Sequence, residues 1–132
     1  MKCLVVEDDL VCSKVYQSYL SDLGACSQAG DGRRAVDAFR QALESNEPFD
    51  LICLDIMMPE MNGHEALQLI RDLEKQHGID GLTAGVKVII VTALDESDQR
   101  QKAFTAGCNA YLVKPIARRK LFSEIGRLGL IH

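Results

Sequence analysis

The stretch Leu51–Gly63 reads LICLDIMMPEMNG. Its apolar run, Leu51, Ile52, Cys53 and Leu54, stops at a carboxylate, Asp55, and a polar turn holding Pro59 and Asn62-Gly63 follows. A short apolar run bounded by turn signals is the pattern of a strand buried on both faces. An acid at the end of such a strand stands at the carboxyl edge of a sheet, where open α/β sheets bind ligands. Alone, Asp55 fits a loop cap as well as a site, and the other strand ends separate the two readings.

Upstream, Cys3–Val6 is a short apolar strand that stops in three acids, Glu7, Asp8 and Asp9. From Val11 to Leu23 the apolar residues Val11, Val15, Tyr16, Tyr19, Leu20 and Leu23 recur at helical spacing, and Gly24 is placed to end the helix. Ala25–Ala29 predicts a weak edge strand. Asp31 is a good N-cap for a helix whose inner face carries Ala35, Val36, Phe39, Ala42 and Leu43. Pro48 breaks the chain before a strand over Phe49–Leu54. Downstream, Gly63 opens a helix to about His77, with Leu67, Ile70 and Leu73 on one stripe. The glycine-rich Gly78–Gly85 is the most flexible-looking stretch. Val86–Val91 is a strand ending in Thr92 and Ala93, Asp95 can cap a helix through Ala106, and Asn109–Val113 is a strand ending in Lys114-Pro115. A last helix over Ala117–Leu128 should bury Leu121, Ile125 and Leu128. Strand and helix alternate five times, which implies a doubly wound α/β fold with a parallel sheet and helices on both faces.

All 132 residues read as one domain with enough length for a real core. The net charge of −4 offers no basic field, so direct nucleic-acid binding is not expected. No run is long and apolar enough for membrane insertion and the N-terminus lacks a signal peptide's apolar stretch, so a cytoplasmic protein is expected. The five cysteines form no CxxC pair and read as reduced thiols rather than a disulfide or metal framework.

Carboxyl ends of parallel strands point one way, so Glu7 and Asp8, Asp55, Thr92 and Lys114 converge on one crevice. An acid pair, an acid, a hydroxyl and an ammonium suit phosphoryl transfer to a carboxylate. Several hard oxygen ligands fit Mg²⁺, with Mn²⁺ an alternative. A threonine hydroxyl and a lysine can hold phosphoryl oxygens as their charge redistributes.

The segments LVVEDD at 4–9, DIMMPEMNG at 55–63, VTA at 91–93 and AYLVKP at 110–115, in this order and spacing, resemble the receiver domain of two-component response regulators, of the single-domain chemotaxis type. The resemblance runs from about Cys3 to Leu128. It implies a flavodoxin-like five-stranded parallel sheet in the order 2-1-3-4-5, with five helices in three α/β/α layers, over a single receiver domain spanning 1–132. It implies that Asp55 is the phosphoacceptor, that Asp8 and the backbone carbonyl of Met57 ligate Mg²⁺ together with Asp55, and that Glu7 acts largely through water. Thr92 and Lys114 match the phosphate-contacting hydroxyl and lysine, Tyr111 matches the switch aromatic, and Lys114-Pro115 matches a peptide bond that is usually cis. The implied partners are a histidine kinase or histidine phosphotransfer protein as donor and a downstream protein target. Phosphorylation would draw Thr92 inward, let Tyr111 fill the space, and alter the face of the fourth helix, fifth strand and fifth helix. Because no effector domain follows His132, output is expected through protein contact.

The resemblance also has departures: the 78–85 loop is long, Ile116 replaces an aromatic, and the apolar Met57 and Leu94 are expected to border the phosphoryl group. Two further readings stand beside the switch, a receiver portion of a larger hybrid kinase or regulator and a metal-dependent phosphatase with an Asp nucleophile. The second lacks its acid, since Met57 stands two residues beyond Asp55. Asp9 is expected to be solvated and His64 to face solvent at a helix start. His77 and His132 show no partner pattern, Met57, Met58 and Met61 suit loop packing, and Arg118-Arg119-Lys120 suits a solvated face.

Overall fold

Alternation along β1 (Lys2–Val6) sends Leu4 and Val6 to one side of the sheet and Cys3 and Val5 to the other, and all four are buried. The computed structural model describes residues 1–58, 61–81 and 83–131. Pro59 and Glu60, expected in the turn after Asp55, lie outside the described residues, as do Leu82 and His132. After β1 come α1 (Leu10–Leu20), β2 (Ala25–Ala29), α2 (Gly32–Glu44), β3 (Leu51–Leu54) and α3 (Gly63–Gln76). The chain continues through β4 (Lys87–Thr92), α4 (Ser97–Ala106), β5 (Ala110–Val113) and α5 (Arg118–Arg127). The strands form one parallel sheet in the order β2-β1-β3-β4-β5, the expected doubly wound topology.

The two faces carry separate cores. Leu4, Val6, Ile52, Leu54, Val88 and Ile90 pack under α2, α3 and Ala103 of α4. Cys3, Val5, Leu51, Cys53, Ile89 and Val91 pack under α1 and α5. In register, Val6 pairs with Leu54, Leu54 with Ile90 and Ile90 with Tyr111, so the residues just past this row all emerge at one edge.

Several local expectations are corrected. The ladder of β3 begins at Leu51, with Phe49 buried beside it. In α1 the buried strip is Ser13, Tyr16 and Leu20, whereas Val11 is 73% and Val15 38% exposed. The helix presents one narrow stripe to the sheet, and its other apolar residues face outward. Ser21 caps α1, so Gly24 does not end it; a Cβ at Gly24 would collide with the backbone of Met1. The N-cap of α4 is Glu96, without a side-chain cap bond, and not Asp95, whose carboxylate pairs with Arg100 at 2.9 Å. The described part of the 78–85 loop carries hydrogen bonds of its own. Thr83, Ala84 and Gly85 donate backbone N–H bonds to the Asp80 carbonyl, and Val86 donates to the buried Glu74 carboxylate at 2.6 Å.

Candidate functional site

Backbone hydrogen bonds continue past the strand ends and hold the polar groups in place. Glu7 N–H donates to the Ala29 carbonyl at 3.1 Å, Asp55 N–H to Val6 at 3.0 Å, and Lys114 N–H to Thr92 at 2.7 Å. Each site residue is therefore positioned by the ladder of a neighbouring strand. The first turn of α3 closes on the same spot: a Cβ at Gly63 would stand 2.5 Å from the Asp55 carbonyl oxygen, so this close approach requires glycine.

Glu7 and Asp55 are buried and Asp8 is exposed. One carboxylate oxygen from each lies within 4.8 Å of the others. Lys114 Nζ bridges two of them, donating to Glu7 Oε2 at 2.6 Å and to Asp55 Oδ2 at 3.0 Å. Met57 N–H donates to Asp55 Oδ1 at 3.0 Å and so fixes the rotation of that carboxylate. Burial pushes the Glu7 carboxyl up to about 7; the bond from Lys114 opposes the shift and the charge of Asp55 adds to it. Burial works against the Lys114 ammonium, but the hydrogen bonds it donates to both carboxylates outweigh it and hold its proton more tightly than usual.

Thr92 is fully buried at the end of β4, and its Oγ1 accepts a long bond from Leu94 N–H at 3.4 Å. Tyr111 is already turned in: its ring is buried beneath the Arg100 guanidinium, and its hydroxyl donates to the Leu94 carbonyl at 2.7 Å. Lys114-Pro115 is cis, as expected. The residues expected at the site therefore gather at one edge, with Glu7, Asp8, Asp55 and Lys114 in one cluster and Thr92 and Tyr111 on the strands beside it.

Some placements differ from expectation. Asp9 is not merely solvated; its Oδ1 accepts from Val11 and Cys12 N–H at 2.9 and 3.2 Å and caps α1. An aspartate directly before the helix was the readable signal. His64 is half-buried, and its Nε2 meets Gln99 Oε1 at 3.0 Å. Met57 lines the cleft beside Asp8, together with His64, Gln99 and Lys102, whereas Leu94 leans on the core. The short Glu7–Lys114 pair had no local sequence signal, because the partners lie 107 positions apart. Arg118 forms an ion pair with Asp22 at 2.6 Å and lies over Phe122.

Three hard oxygen donors crowded together with one shared lysine suit a small divalent cation such as Mg²⁺. The five cysteines are free, and Cys3, Cys53 and Cys108 are buried. No helix among the described residues is long and apolar enough to cross a membrane.

The sequence profile of the response regulator receiver domain matches residues 3–126. A probable histidine kinase 2 of Oryza sativa is 38% identical over an alignment covering 95% of this chain and 12% of the kinase. The probable transcriptional regulator ycf29 of Pyropia yezoensis is 36% identical, over 96% of this chain and 52% of that protein. The chain thus spans an eighth of the kinase and about half of the regulator. The receiver domain of the sensor histidine kinase PA1611 of Pseudomonas aeruginosa PAO1, solved with a magnesium ion coordinated in its active-site cleft, superposes with a TM-score of 0.77. It is 28% identical, over 96% of this chain and 94% of that one.

Proposed function

This chain belongs to the response regulator receiver family, a family of signalling domains, and on that premise we propose that Asp55 is its phosphoacceptor. The observation that carries the proposal is Lys114 bridging Glu7 and Asp55 within the three-carboxylate cluster at the carboxyl edge of the sheet. The proposed donor is a phosphohistidine of a histidine kinase or phosphotransfer protein. An Asp55 oxygen bonds to phosphorus, the phosphorus–nitrogen bond breaks, and the imidazole leaves with its electron pair and is protonated. Met57 N–H orients the carboxylate for this approach, and Lys114 stands ready to follow charge from the carboxylate to the phosphoryl oxygens. Asp8, Asp55 and the Met57 carbonyl are the proposed ligands of Mg²⁺, with Glu7 acting through water. When bound, the ion supplies positive charge that offsets repulsion between donor phosphate and acid cluster. Mn²⁺ offers the same charge to the same ligands.

Thr92 is the proposed contact from the β4 edge to the phosphoryl group, and Tyr111 the group that carries the change to the α4–β5–α5 face and a downstream protein target. The whole chain, 1–132, is read as one receiver unit, cytoplasmic, with no role in direct nucleic-acid binding. The phosphatase reading is not favoured: the exposed Met57 side chain cannot protonate a leaving group. A phosphotransfer assay across phosphorylated histidine kinases, with Asp55→Asn as control, tests the proposal. Label is expected on the wild type and absent from Asp55→Asn; label retained by the mutant would place the phosphoacceptor elsewhere.

A further inference from the structure

The join of β2 to α2, residues 29–32, carries none of the acids, the hydroxyl or the lysine gathered at the site. It nevertheless holds the acid cluster from two directions. On one side the Ala29 carbonyl accepts from Glu7 N–H at 3.1 Å. On the other, the buried Gly32 stands against Met61. A Cβ on Gly32 would fall 2.5 Å from the Met61 carbonyl oxygen and 3.1 Å from the Met61 Cβ and Cγ. No side chain fits in that gap, so α2 meets Met61 this closely only because residue 32 is glycine.

Met61 leads straight into the first turn of α3. Asn62 caps that turn, its Oδ1 accepting from Glu65 N–H at 3.0 Å. Gly63 N–H donates to the Ile56 carbonyl at 2.9 Å, and a Cβ on Gly63 would fall 2.7 Å from Ile56 Cα. An unbroken run of backbone thus joins the contact at Gly32 to the backbone of Asp55 and Ile56. Met57 N–H in turn donates to Asp55 Oδ1 at 3.0 Å, so a shift of this backbone turns the carboxylate.

The two sides of the Gly32 contact are unequally held. Behind Gly32, α2 is fastened by the buried Ala35, Val36, Phe39 and Ala42, and Asp31 Oδ1 caps it by accepting from Arg34 N–H at 2.8 Å. Met61 is only partly buried. A close-packed core yields least, so pressure at this contact moves Met61 rather than α2.

We propose that Gly32 is a positioning residue for Asp55: the amino end of α2 seats Met61, and through Asn62 and Gly63 that seat sets the backbone that aims the carboxylate. The chemical consequence rests on the reading of Asp55 as phosphoacceptor; the seat does not.

The test adds the missing methyl group. Gly32→Ala is compared with wild type and with Gly126→Ala, a glycine of α5 where an added Cβ meets nothing within 4 Å. In EDTA, the amide resonances of Asp55, Met57 and Gly63 are expected to shift in Gly32→Ala and to stay in place in Gly126→Ala. Unmoved Asp55 and Met57 resonances in a folded Gly32→Ala overturn the seat. With phosphoramidate at saturating Mg²⁺, at a temperature where circular dichroism shows both proteins folded, Gly32→Ala should be phosphorylated about tenfold more slowly than wild type. Small misplacements that start far from the chemistry have effects of this order or larger. A lowered melting temperature with an unchanged rate at saturating Mg²⁺ would show a structural role alone and overturns the proposal. If the added methyl group unfolds the chain, Met61→Ala decides. It empties the seat from the other side by removing the Cγ that faces Gly32, and should slow phosphorylation several-fold; a wild-type rate overturns the proposal. A wild type that accepts no phosphate refutes the Asp55 reading instead, and the amide shifts still decide the seat.

Discussion

Glu7 lies buried between one ammonium and a second carboxylate, and the balance of these effects sets a pH dependence. Its pKa is raised from 4.5 to about 7, so the folded state holds this proton more tightly than the unfolded chain does. The resulting stability is fully present below about pH 4.5 and is lost as pH rises through about 7. In metal-free buffer, Glu7→Gln should therefore stabilise the protein at pH 8 by roughly 1–3 kcal/mol and much less at pH 5. Urea unfolding at the two pH values checks this; a loss of stability at pH 8 would show that the Lys114 pair outweighs the desolvation. Met57 supports a second expectation. Its side chain lines the cleft but cannot orient a water for attack on the proposed Asp55 phosphate. Met57→Asn should shorten the phosphate's lifetime by roughly tenfold, about 1.4 kcal/mol of barrier. Loss of phosphate in Mg²⁺ buffer without kinase gives the comparison, and equal lifetimes would remove Met57 from control of hydrolysis. Adding Leu94→Glu, attractive from sequence spacing, instead places a charge against the core.

At the scale of elements, the amphipathic stripes of α2 and α3 and the apolar runs of β1, β3 and β4 were legible because their residues are buried in the pattern that their period dictates. The stripe of α1 was less legible, since Val11 and Val15 are apolar yet exposed, and periodicity cannot tell an outward apolar face from an inward one. The cap of α4 was misread because the helix starts one residue later, which leaves Asp95 outside the N-cap position and paired with Arg100. The tie at the end of the 78–85 loop was invisible, since it depends on the Glu74 carboxylate of α3 accepting from Val86 N–H, twelve positions away. Asp9 joins element to site: it caps α1 and donates its own N–H to Glu7 Oε1 at 3.2 Å. Asp9→Ala should cost about 1 kcal/mol, lowering the melting temperature by roughly 4 °C. Calorimetry measures it, and an unchanged melting temperature would mean that water satisfies the first turn of α1 equally well.

At the scale of the whole molecule, the parallel sheet turns five separate strand ends into one edge, which is why Glu7, Asp8, Asp55 and Lys114 could be grouped from sequence before any distance was known. Order along the chain and a single direction of the strands suffice for that grouping. They do not give the depth of each group, and depth separates the buried Glu7 and Asp55 from the exposed Asp8. Crowding three carboxylates works against the fold unless a cation relieves it, so metal binding and global stability are linked. Mg²⁺ at about a hundred times its dissociation constant should stabilise the wild type by roughly 2.7 kcal/mol, because the unfolded chain does not assemble the site. Asp8→Asn should shift both quantities in opposite senses: the metal-free protein becomes more stable as repulsion falls, and the response to Mg²⁺ disappears as a ligand is lost. Thermal unfolding of both proteins across a Mg²⁺ titration, with CaCl₂ at matched ionic strength as a control, measures the two effects together. If Asp8→Asn gains as much from Mg²⁺ as the wild type does, the cation does not bind at this acid cluster, and the crowding of Glu7, Asp8 and Asp55 needs another explanation.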